Sequence, residues 1–185
     1  MTQPEKSNIA IQQLNLGYHQ VQDRLLFRVG LSDDTELALW LTHRMAKRMW
    51  LLLNNEAHLP QPQQAEATAS PEAAVLAFKQ EAQAVETLQA LDFETAYTPR
   101  QEVMQQGPSL VTELTLIKPE HASALLEMHC EDGLNVALNL NQDSVLAICN
   151  MLQLTTKDAA WDIGASSSAV ANAVVIHPTS KQVLH

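Results

Sequence analysis

The amino-acid pattern predicts an α+β protein in which two βββα repeats form antiparallel sheets packed with helices, related by a pseudo-two-fold and joined by a connecting helix. Three observations carry this. First, alternating or β-rich segments follow one another through tight turns with no helical crossover between them, which is how antiparallel neighbours connect. Second, sliding the chain by 99 positions lays Leu25–Leu53 on Ala124–Leu152 without a gap. Third, one such unit exposes an apolar sheet face, and two copies bury those faces against each other.

Ile11, Leu14 and Leu16 open the first unit as a short apolar segment, and Gly17-Tyr18-His19-Gln20 reads as a turn or bulge. Asp23 to Leu31 is a strand by its β-favouring content, and Glu36 to Leu41 is a second. Ser32-Asp33-Asp34 between them offers side chains that bond their own backbone, so the pair is a hairpin. Thr42 caps a helix from about His43 to about Asn55. Met45, Met49 and Leu52 recur at helical spacing beside Ala46, Trp50 and Leu53, giving one broad apolar face with Arg44, Lys47 and Arg48 opposite.

Pro60 to Ala69 has the composition of a linker, with no large apolar residue. Ser70-Pro71-Glu72 then carries a helix start: a hydroxyl cap, proline at the first helical position and an acid at the positive end of the dipole. The helix runs to about Ala90, and its row Val75, Phe78, Ala82, Val85 and Leu88 is expected to lie on the domain as a narrow stripe. Tyr97-Thr98-Pro99-Arg100 and Gly107-Pro108-Ser109 interrupt the chain.

The second unit repeats the first. Val111–Ile117, Ala122–Cys130 and Leu134–Leu140 read as strands, Glu131-Asp132-Gly133 as a hairpin turn, and Asn141 as the cap of a helix bearing Val145, Ile148, Cys149 and Leu152. Under the 99-residue shift, Leu26, Asp33, Ala38, Leu39, Leu41 and Leu53 meet identical residues, and Ala46, Met49 and Trp50 meet Val145, Ile148 and Cys149. The predicted organisation is a first βββα unit over 9–56, a linker over 57–70, a connecting helix over 71–91, a second unit over 110–156 and a partly flexible tail over 157–185. Trp161-Asp162-Ile163 is expected to tuck back onto the core, and Gly164 to His185 reads as loose.

Composition narrows the function. With 46 % hydrophobic and 17 % charged residues the chain has enough apolar content for a real core. No apolar run suits a membrane span and Met1–Ala10 has no signal-like h-region, so a cytoplasmic protein is expected. Residues 1–60 hold six Lys/Arg against six Asp/Glu and residues 61–185 hold five against fifteen, so the net charge of −10 belongs to the second part. An acidic chain repels phosphate backbones, which makes nucleic acid an unfavoured partner.

Catalytic and metal chemistry find no support in the pattern. No P-loop, dinucleotide fingerprint, HExxH or GxSxG occurs, and five glycines leave little for a phosphate-cradling loop. His121, His129, Cys130 and Asp132 form the best metal-like group, but adjacent strand residues point to opposite faces, so His129 is expected exposed and Cys130 buried. Cys149 sits on an apolar helix row and reads as a packing residue. The expectation is no enzyme, no cofactor and no metal.

Partner contact is the remaining reading: an adaptor, chaperone-like or regulatory protein. Its candidate interaction residues are Arg24, Arg28 and Trp40 on the hairpin and Arg44, Lys47 and Arg48 on the helix, and open sheet edges leave homodimerisation available. Gln22 to Arg28 and Leu39 to Arg44, quoted as QDRLLFR and LWLTHR, resemble an uncharacterised bacterial protein family with a comparable hairpin and basic helix. That resemblance implies no activity, substrate or cofactor. The alternative is single-stranded nucleic-acid binding, since the expected topology is similar to that of PC4-like and Whirly proteins. Against it, Glu127 and Asn139 stand in the second unit where Arg28 and Trp40 stand in the first.

Overall fold

A computed structural model describes residues 9–57, 71–103, 106–118 and 123–163. Local turn chemistry sets its first half. Strand β1 (Ile11–His19) pairs antiparallel with β2 (Arg24–Leu31), which pairs with β3 (Thr35–Leu41). The Asp33 carboxylate accepts from the Thr35 amide at 3.2 Å, and Asp34 takes a positive φ of 63°, a conformation that Asp tolerates better than most residues. Thr42 Oγ1 then accepts from the Met45 amide at 3.3 Å and starts α1 (His43–Ala57).

The second half uses the same devices. After α2 (Pro71–Ala90) and a two-residue strand β4 (Gln101–Glu102), an antiparallel meander runs through β5 (Ser109–Ile117), β6 (Ala124–Cys130) and β7 (Asn135–Leu140) into α3 (Gln142–Asp158). Asp132 Oδ1 accepts from the Leu134 amide at 3.1 Å, Gly133 takes a φ of 86°, and Asn141 Oδ1 accepts from the Ser144 amide at 2.8 Å. Registers correspond as well. Leu25 faces Leu41 in β2–β3 and Ala124 faces Leu140 in β6–β7, and adding 99 to the first pair gives the second. Pairing skips Gln12 in β1 and Thr112 in β5, a bulge at positions 100 apart.

The sheet is mixed, with strand order β1-β2-β3-β5-β6-β7. Here the wholly antiparallel expectation needs correction: β3 runs parallel to β4, through Thr35 to Gln101 and Glu36 to Glu102, and parallel to β5, through Leu39 to Ser109 and Trp40 to Leu110. A parallel neighbour requires a long crossover, and the stretch carrying α1 and α2 supplies it. Each terminal helix reaches the other half, α1 lying on β5 and α3 on β1, with the two helices also in contact. Thr155 Oγ1 donates to the Leu16 carbonyl at 3.3 Å and ties α3 to β1. A single apolar cluster joins Leu25, Phe27, Leu39, Met49 and Leu53 to Leu126, Met128, Leu140, Ile148 and Leu152.

Two further local expectations change, and the packing of Trp161 and Ile163 onto the core follows the reading. Gly17, Tyr18 and His19 belong to β1, and the turn comes at residues 20–23. In α2 Val75, Phe78 and Val85 of the expected row are exposed at 55, 71 and 38 %, while Leu88 of that row packs against the core beside the buried Ala84, the helix touching α3. Beyond α3, Ile163 is buried, and Trp161 meets Tyr18 edge-on at 5.7 Å and stacks on His43 at 4.9 Å. The Pro60–Ala69 linker, Ala122 and the Gly164–His185 tail lie outside the described residues. No helix among the described residues is long and apolar enough to cross a membrane.

Candidate interaction surface

Strand alternation splits the six candidate residues into two groups. Leu25, Phe27, Val29, Leu39 and Leu41 are buried in the core with the apolar face of α1, so Arg24, Arg28 and Trp40 lie on the opposite sheet face. Arg44, Lys47 and Arg48 are on α1, and the two groups do not form one site.

The sheet-face group is mostly engaged in structure. Glu36, 3 % exposed, accepts through Oε2 from the Tyr97 hydroxyl at 2.9 Å and from the Arg100 amide at 2.8 Å, and its Oε1 lies 3.9 Å from Arg28 Nε. Both guanidinium groups sit over the Tyr97 ring, Arg28 at 6.0 Å and Arg100 at 5.9 Å from its centroid. Arg100 also reaches Gln13 and Gln12 through its terminal nitrogens, both at 3.4 Å. Gly30 makes room for it, since a Cβ there would stand 2.0 Å from Arg100 Nη1. The cluster clamps the segment before β4 onto the sheet. Trp40 is half-buried, edge-on to His19 at 5.4 Å.

Sequence reasoning missed Glu36, Tyr97 and Arg100 as a unit. Glu36 shares the sheet face of Ala38 and Trp40, and no local pattern announces that residues 97–102 cover it.

The clamp has a spectroscopic consequence. Burial, followed by the hydrogen bond to Glu36, pushes the Tyr97 hydroxyl from its ordinary 10.0 up to about 12, and the bond to Asp23 raises Tyr18. These are the two tyrosines of the chain. In an alkaline titration followed by ultraviolet absorbance, less than half of the tyrosinate signal is expected at pH 10, with the missing part released on unfolding. Because the folded value lies above the unfolded one, the stabilisation is complete below pH 10 and declines as pH rises towards about 12. Half-ionisation at pH 10 in the folded protein would contradict the clamp.

The helix group is free. Among the described residues none pairs with Arg44, Lys47 or Arg48 in an ion pair or hydrogen bond. They line an open groove of about 420 Å³ with Met45 and Leu51 of α1 and Thr112, Glu113, Leu114 and Thr115 of β5. No acid occupies the first turn of α1. Arg44 lies in that turn, where a cation at the positive end of the helix dipole is unfavourable by roughly 0.3–1 kcal/mol when exposed, and Lys47 and Arg48 follow one turn further on.

The remaining chemistry-bearing residues are structural in their surroundings. His129 Nδ1 meets the Asn135 side chain, and Cys130 is buried. Burial and the Asp132 charge push the Cys130 thiol up to about 11, and burial pushes Cys149 to about 12, which leaves both poor nucleophiles at neutral pH. Ser109 Oγ donates to Asp132 at 2.6 Å and, with the amide of Leu134, holds that carboxyl below the usual carboxylate range. No group of three or more His, Cys, Asp or Glu suited to a metal occurs among the described residues. The chain matches no protein-family model, no curated protein and no solved structure.

Proposed function

We propose that this chain is a non-enzymatic, cytoplasmic protein of bacterial type that works through protein–protein contact, as an adaptor, chaperone-like or regulatory factor, on a scaffold made by internal duplication of a βββα unit. Corresponding registers, bulges, turn aspartates and helix caps support the duplication. The observation that carries the functional reading is the basic face of α1, which has no ion-pair partner among the described residues and whose Arg44 stands in a first turn that electrostatics would leave to acids.

Reversal of these charges tests it. The triple variant Arg44→Glu, Lys47→Glu, Arg48→Glu is expected to lose at least about ten-fold in recovery of the native partner, about 1.4 kcal/mol of contact energy. It should keep its circular dichroism spectrum and melt at the same temperature or higher, because acids now face the dipole. Unchanged recovery would remove this face from the proposal.

The nucleic-acid reading has less support, since Arg28 is committed to Glu36 and Tyr97. Anisotropy titration with single-stranded oligonucleotides at low salt separates the two, a steep salt dependence being the signature of phosphate contact.

A further inference from the structure

We infer that the groove between α1 and β5 is a docking site for an extended acidic peptide segment of the partner, which adds alongside β5. This rests on the reading of α1 as the contact face and names what that face holds.

The open edge of β5 supplies the first argument. β6 covers one side of β5 along its length, but β3 borders the other only at Ser109 and Leu110. Beyond Leu110 the backbone of Val111 to Ile117 has no strand neighbour on that side among the described residues, and α1 stands over it. An unpaired edge beside an apolar floor is what strand addition uses: main-chain hydrogen bonds give affinity, and alternate side chains give selectivity. Met45, Leu51 and Leu114 provide the floor.

Charge decides the class of peptide. Among the described residues Arg44, Lys47 and Arg48 share the groove with one carboxylate, Glu113, and the dipole of α1 adds to the positive field. No aromatic residue lines it, so there is no platform for stacked bases, and a polynucleotide would also meet a chain of net charge −10. A peptide with acids on alternate residues satisfies both the edge and the cations.

The other half of the molecule offers an internal precedent. Adding 99 to Arg44 and Arg48 gives Asp143 and Ala147, and subtracting 100 from Thr112–Thr115 gives residues 12–15 of β1; these positions line a corresponding groove between α3 and β1. There the chain's own Leu91–Arg100 segment lies beside the strand, held by the Gln13 side chain, whose Nε2 donates to the Ala96 carbonyl and whose Oε1 accepts from the Thr98 amide, both at 3.1 Å. Residues 96–100 of that segment run without a bend, and before them Asp92 and Glu94 lie in a local turn in which the Asp92 carboxylate accepts from the Glu94 and Thr95 amides. In the α1–β5 groove no described residue takes its place.

The test uses the full chain and a fluorescein-labelled octapeptide alternating Glu with Val. Anisotropy is expected to show saturable binding at low salt. Affinity should fall at least about ten-fold in the variant Arg44→Gln, Lys47→Gln, Arg48→Gln, and to a similar extent when the peptide's glutamates become lysines or its edge-facing amides are N-methylated. In an amide-resolved NMR titration the largest shifts should fall on Val111 to Ile117. Equal binding of the acidic and basic peptides, insensitivity to N-methylation, shifts confined to other elements, or preference for an oligothymidine of matched charge would each overturn the inference. Failure of the octapeptide to bind, while charge reversal still removes the native partner, overturns this occupant and leaves the contact face standing. Unchanged partner recovery after reversal removes the face itself.

Discussion

Replacing Glu36 with alanine is expected to destabilise the fold by about 3 kcal/mol in urea unfolding and to loosen the segment before β4 from the sheet. The carboxylate is 3 % exposed and receives the Tyr97 hydroxyl and the Arg100 amide, while Arg28 Nε, 3.9 Å away, is a buried donor with no hydrogen-bond partner of its own. Removing the acid strands the Tyr97 hydroxyl and the Arg100 amide and takes the nearest carboxylate from Arg28. Breaking a buried ion pair from one side costs ~3–5 kcal/mol, and the low end applies because the Arg28 side chain keeps 34 % of its surface in water. Glu36→Gln retains an acceptor for Tyr97 and Arg100 and loses only the attraction to Arg28, so about 1 kcal/mol is expected there. The readout beyond stability is limited proteolysis between Leu91 and Val103, which should accelerate in the alanine variant and much less in the glutamine variant. Equal stability of wild type and Glu36→Ala would mean that the clamp is ornamental and the segment is held elsewhere.

How much of this was legible beforehand follows from the range over which each interaction acts. Hairpin turns at Asp33-Asp34 and Asp132-Gly133, caps at Thr42 and Asn141, and the core rows of α1 and α3 are written within a few residues of themselves, and the structure places all of them as read. The parallel pairing of β3 with β4 and β5 joins residues some 70 positions apart and leaves no periodic trace. Glu36 illustrates the same limit: its neighbours Ala38 and Trp40 identify its face, but only the distant Tyr97 explains its burial. Val75 and Phe78 are exposed against expectation because a helical row of apolar residues signals a face and not what covers it. For the candidate surface, the basic side of α1 was legible from helical spacing. The groove was not, since its other wall, β5, comes from the opposite half of the chain.

Phe27→Ala and Leu126→Ala make the second large effect, and as a pair they ask whether the halves fold as one. The two positions are 99 apart, both side chains are fully buried, and both belong to the same apolar cluster. Truncation removes transfer free energy and leaves a cavity that close-packed neighbours fill only in part, about 3–5 kcal/mol for Phe and about 2–5 kcal/mol for Leu. Against the ~5–15 kcal/mol that stabilises a typical domain, either loss is a substantial fraction of the whole. Because α1 rests mainly on β5 and α3 mainly on β1, each half loses the larger part of its helix-to-sheet contacts once the other is lost. In a Trp161→Phe background, each variant should therefore shift a single cooperative transition, with fluorescence from Trp40 and Trp50 in the first half and far-UV circular dichroism reporting the same midpoint. Two independently folding units would behave otherwise. Phe27→Ala would then split the curve, displacing the tryptophan signal while a separate step for the second half stayed where it was, and that outcome would mean that the crossed helices add contact without coupling the two halves.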